Sequence, residues 1–166
     1  MATASTVHLA PAAESRLHLG AGLMGLAGLG FIGYGVIFFV RNFTDAFLEL
    51  GIGPGQVDVD RAAIEDFSPT LLNYISHLHI AVSGFIGAAG IAVAALAWYG
   101  VRRGEMWAWV TAVLVPVFGL AVALPAHYPW GFATLGHLGL IYLATLVFVV
   151  GALLALAGLR GEHTRT

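Results

Sequence analysis

The chain has 166 residues, 59% hydrophobic and 10% charged, with a formal net charge of -2 and a mean hydropathy of +0.88. This composition excludes an ordinary soluble domain, and all seven basic side chains being Arg leaves no extended basic face for nucleic acid. The absence of Cys excludes disulfides, iron–sulfur ligation and thiol catalysis, and the absence of Lys excludes a retinal or pyridoxal Schiff base.

Residues 1–15, rich in Ala, Thr and Ser without a long apolar run, read as a flexible tail. The first membrane helix is expected over residues 19–40, a length that at ~1.5 Å per residue spans a hydrocarbon core of ~30 Å. A long connector follows, in which Gly51, Gly53, Pro54 and Gly55 divide two short helical pieces, Thr44 to Leu50 and Asp60 to Phe67. Asp60 is placed to cap the second piece. Ser68 followed by Pro69 is a helix-start signal, so the second membrane helix occupies 69–99. A third covers 107–126, with Pro116 expected to kink it, and a fourth covers 130–159 after a short turn from Pro125 to Gly131. Residues 160–166 read as a second tail.

These elements predict an all-α fold: one integral membrane domain, an antiparallel four-helix bundle with a single long outer loop. Strands are excluded because open edges cannot face lipid and no period-2 alternation is present. Arg16, Arg102, Arg103, Arg160 and Arg165 share the side of the termini, whereas Arg41 and Arg61 stand alone opposite. The positive-inside rule therefore predicts cytoplasmic termini in a multi-pass protein of the inner membrane. Trp98, Tyr99, Trp107 and Trp109 mark one membrane boundary, and Tyr128 with Trp130 the other. Gly22, Gly25 and Gly28 in the first helix, with Ser83, Gly87, Gly90 and Ala94 in the second, are expected to let the helices approach closely.

The membrane segments hold no carboxylate and no Arg between their ends, which disfavours ion-coupled transport. Histidines are the remaining chemistry. His77 and His79 lie near the outer end of the second helix, His127 ends the third, and His137 is about two turns into the fourth. At ~100° per residue His77 and His79 diverge and cannot both serve one centre. One reading is haem b, with His137 and either His77 or His79 as axial ligands and Arg41 or Arg61 on the propionates. Another is a copper or zinc site of His127, His137 and His79, with Asp66 or Glu65 from the acidic loop. A third makes these rings structural, bonded to Asn73, Ser76, Thr134 or Tyr128, with no cofactor at all.

The corresponding functions are electron transfer or cofactor handling, an accessory or scaffold role in a larger membrane complex or homo-oligomer, and a channel or carrier for a small neutral or lipid-soluble ligand. No Ser/His/Asp arrangement or phosphate loop supports an enzyme in the isolated chain. Asp45, Glu49, Asp58, Asp60, Glu65 and Asp66 read as a solvated loop surface.

Overall fold

The structure, a computed structural model, describes residues 11–163. Among them there is no strand. The helices are α1 (Pro11–Arg41), α2 (Pro54–Val57), α3 (Arg61–Phe67), α4 (Pro69–Tyr99), α5 (Met106–His127) and α6 (Leu135–His163), with a 3-10 turn at Val101–Arg103. Four of them, α1, α4, α5 and α6, are long and apolar enough to cross a membrane.

Several boundaries differ from the sequence reading, each for a local reason. Among the described residues helix α1 already includes Pro11, inside the expected tail, where Ala12 and Ala13 favour helix and Glu14 complements the N-terminal dipole. Its first turns pack on the last of α6, where a Cβ on Gly158 would lie 2.9 Å from the Ala13 carbonyl. Helix α6 likewise runs through residues 160–163; residues 1–10 and 164–166 of the expected tails, Arg165 among them, lie outside the described residues. It begins at Leu135 and not at Trp130, since Gly131 adopts a left-handed φ of +75° and Thr134 supplies the cap, its Oγ accepting from the His137 amide at 3.2 Å. Pro125 does not end α5, which continues to His127.

The bundle is organised by α1, which packs along both α4 and α6, while α5 touches its neighbours far less. Residue numbers rise on α1 as they fall on α4: Gly28 meets Gly90, and Gly35 meets Ser83 and Gly87. A Cβ on Gly28 would lie 2.8 Å from the Gly90 carbonyl, so the two backbones are in contact. On the other side Gly20 meets Gly151, again at backbone distance. Gly22, by contrast, is exposed with nothing within 4 Å of its side-chain direction. The α1 seam is the row through Gly20, Met24, Ala27 and Gly28, not the Gly22–Gly25–Gly28 triplet.

Only Ala108 and Ala112 of α5 are fully buried, both in its first two turns. Trp109 ties this half to α6 by donating its indole N–H to the Ala152 carbonyl at 2.9 Å. Beyond Pro116, which has no N–H to offer the Ala112 carbonyl, α5 contributes no fully buried side chain.

The connector folds over one end of the bundle, hereafter the loop end. Asp60 caps α3 by accepting from Ala63 N at 2.8 Å, and Ser68 caps α4 by accepting from Leu71 N at 3.2 Å. Thr44 to Leu50 is not a helix. Arg41 donates to the carbonyls of Leu48 (2.9 Å) and Glu49 (3.4 Å), which folds this stretch back onto the end of α1. Arg61 fastens its start through the carbonyls of Asn42 (3.2 Å) and Thr44 (3.4 Å). Phe47 takes a φ of 48°, a conformation costing on the order of 1–3 kcal/mol in a bulky residue. Burial of its ring to 2% exposure returns a similar ~1.5–3 kcal/mol.

Candidate functional site

Four polar side chains converge where the folded connector meets the bundle. His137, on the first turn of α6, is 4% exposed. Its Nδ1 donates to the Leu50 carbonyl at 2.8 Å, which docks the connector onto α6. Gly51, next in the chain, lies so close to the backbone of Gly136 and His137 that a Cβ there would overlap it. His127, at the end of α5, stacks on His137 with ring centroids 4.9 Å apart and planes inclined by 26°. The Nδ1 of His127 donates to the Ala123 carbonyl of its own helix at 2.9 Å.

These rings stand at one end of a cavity of about 370 Å³ that receives side chains from all four long helices. Phe31, Tyr34 and Phe38 come from α1, Val82, Phe85, Ile86, Ala89 and Val93 from α4, and Ile141 with His137 from α6. The less packed half of α5 supplies Pro116, Gly119, Leu120, Ala123 and His127, and the connector supplies Glu49. The wall is apolar, and Tyr34, Glu49, His127 and His137 are its polar side chains. Phe85, on the α4 part of this wall, is 77% exposed. A second hollow of about 550 Å³, between α1 and α6, shares Tyr34 and is otherwise lined by apolar residues and glycines.

The other residues singled out from the sequence stand elsewhere. His79 is half-buried between the rings of Phe38 (4.9 Å) and Phe47 (5.4 Å), and its Nδ1 is enclosed without a hydrogen-bond partner. Asn42 Oδ1 is a second buried polar atom without one. His77 is exposed on the face of α4 that also carries Asn73, Gly84 and Ala88. Arg41 and Arg61 are engaged with connector carbonyls, and Asp66 and Glu65 are exposed on α3. Among the described residues, no group of three or more His, Asp or Glu gathers closely enough to hold a metal ion.

Glu49 and Tyr34 were not among the residues singled out. The charge pattern groups Glu49 with the solvated acids of the loop, yet Phe47, Leu48, Leu50 and Ile52 around it are apolar. A lone carboxylate inside an apolar run is the signal that marks it. No protein-family model, curated protein or solved structure matches this chain.

Proposed function

We propose that the chain is a polytopic protein of the cytoplasmic membrane, its four crossings antiparallel and its termini inside, that binds a small lipid-soluble molecule within the bundle. The observation carrying this reading is the cavity of about 370 Å³ with an apolar wall and a polar cluster of Tyr34, Glu49, His127 and His137 at one end. Such a design, an apolar enclosure with a few convergent polar groups, is the usual form of a small-molecule site. Access from the bilayer is natural where α5 loosens beyond Ala112 and Val82 and Phe85 stand exposed. A binding subunit or carrier fits this arrangement better than an ion-coupled pump, because Glu49 is the one carboxylate on the wall and belongs to the loop.

Gly119 lines the cavity and has nothing within 4 Å of its side-chain direction, so Gly119→Trp tests the reading by filling the space. Organic extracts of the purified wild-type protein and of the variant are compared by mass spectrometry. A small molecule present in the first and depleted in the second is the expected result; identical extracts, together with equal affinity for added lipid-soluble probes, would remove the proposal.

A copper or zinc ion held by His127 and His137 is the second reading, favoured by one feature. Both rings spend Nδ1 on carbonyl oxygens and keep Nε2 unbonded to any described residue, which is how metal-ligating histidines are commonly oriented. Elemental analysis after loading, with the His127→Leu/His137→Leu double variant as reference, tests it. Haem b between His137 and His77 or His79 draws less support, since the His137 ring is covered by that of His127, His79 is enclosed by phenyl rings, and His77 is exposed on α4.

A further inference from the structure

Resting on the cavity reading, we infer that the ligand is a neutral, lipid-soluble molecule carrying a hydrogen-bond-donating hydroxyl on an aromatic ring, a phenol or quinol, held at its hydroxyl by His127 and His137. A carbonyl oxygen only accepts, so Nδ1 of His137 must carry the hydrogen that it gives to Leu50, and Nδ1 of His127 the one it gives to Ala123. In the neutral ring Nε2 is then an acceptor. Neither Nε2 bonds to a described residue, and both side chains line the cavity. The Glu49 carboxylate adds further acceptor atoms, leaving the Tyr34 hydroxyl as the one donor among the lining side chains.

An end built of acceptors discriminates by chemistry. A ligand carbonyl, carboxylate or phosphate entering it gives up hydrogen bonds to water and finds almost no donor in exchange. A hydroxyl finds two imidazole nitrogens and a carboxylate. Charge narrows the class further. The Arg41 guanidinium stands against the Glu49 backbone, 3.4 Å from its carbonyl, so positive charge is already supplied beside this acid and a ligand cation is superfluous. Phe31, Phe38 and Phe85 on the wall suit a flat ring. On this account a hydroquinone is preferred over its oxidised quinone, whose oxygens accept only.

The test uses the full chain in lipid nanodiscs, with protein-free nanodiscs as reference, and three probes of one shape: 2-naphthol, its methyl ether, and 2-naphthylmethylamine. The naphthol should bind about tenfold more tightly than the ether, the worth of one net hydrogen bond, and more tightly than the amine. His127→Leu, which spares the His137 bond to the connector, should narrow the naphthol-to-ether ratio, since one of the acceptors is lost while His137 and Glu49 remain. The wild-type comparison needs no variant and decides the matter if His127→Leu does not fold. Equal binding of naphthol and ether, both lost in Gly119→Trp, overturns the donor rule and keeps the cavity. Tightest binding by the amine overturns the neutral class. Failure of all three probes to bind the wild-type protein overturns this inference and the cavity reading together.

Discussion

His137 joins the first turn of α6 to the Leu50 carbonyl, 87 positions earlier in the chain, through a 2.8 Å hydrogen bond. One side chain thereby fixes the connector on the bundle, positions Glu49 on the cavity wall, and aligns its own ring against His127. The bond is partly buried, so its loss is felt as a poorly solvated carbonyl as well as a missing contact.

Replacing His137 should therefore cost more than replacing His79. His137→Phe leaves the Leu50 carbonyl without its partner and is expected to destabilise by about 1–3 kcal/mol. His79→Phe removes a ring whose Nδ1 is already enclosed and unpaired between Phe38 and Phe47 and whose one polar partner is the Phe47 backbone, so a loss of no more than about 1 kcal/mol is expected. Thermal unfolding of the two variants in the same detergent compares them. A larger loss for His79→Phe than for His137→Phe would contradict the assignment of the docking bond.

The seat of the connector depends on Gly51. Its φ of +78° suits glycine, and a Cβ would overlap the Gly136 and His137 backbone. Gly51→Ala should dislodge the connector and expose Arg41 and Arg61, which now hold it through its carbonyls. Limited trypsin digestion reads this directly: cleavage at these two arginines should accelerate several-fold in the variant while the bundle persists. An unchanged digestion pattern would mean that the connector is not seated as described.

The four long helices were legible because each is written as an apolar run longer than any soluble helix face requires, and Ser68, Pro69 and Asp60 announce their caps in the sequence itself. What was not legible depends on azimuth and on long-range contacts. Gly22 and Gly28 look equivalent in a spacing count, yet only Gly28 faces α4, since the crossing selects one row of the helix. Glu49 was read with the loop charges because its place on the cavity wall is created by Arg41 and His137, which are remote from each other in the chain. Thr44 to Leu50 has helical composition, and two arginines bonding its carbonyls and neighbours override that propensity.

The α1–α4 crossing gives a sharp contrast between two glycines. A Cβ on Gly90 would lie 2.6 Å from the Gly28 carbonyl and 2.8 Å from the Ile32 amide, so Gly90→Ala must push two backbones apart and should cost about 1–3 kcal/mol. Gly22→Ala adds its methyl to open space and should be neutral or stabilise by ~0.5–1 kcal/mol through helix propensity. Equal effects of the two substitutions on unfolding would show that backbone contact does not hold this crossing.

The proposed orientation can be read chemically, because the chain contains no Cys and every introduced thiol is unique. Asp58 is exposed on the connector, Glu105 at the turn before α5, at opposite ends of α4. The proposed orientation, with the connector outside, rests on Arg16, Arg102, Arg103 and Arg160 sharing the other end. A membrane-impermeant maleimide should then label Asp58→Cys in intact cells and label Glu105→Cys only after permeabilisation. Neither substitution removes a side-chain capping bond: Asp58 ends α2 through its backbone N–H to the Pro54 carbonyl, while Glu105 precedes α5 without a side-chain cap and loses only an exposed bond from the Trp107 indole at 3.0 Å. The reverse labelling pattern would invert the protein in the bilayer, and with it the leaflet from which a lipid-soluble ligand reaches His127 and His137.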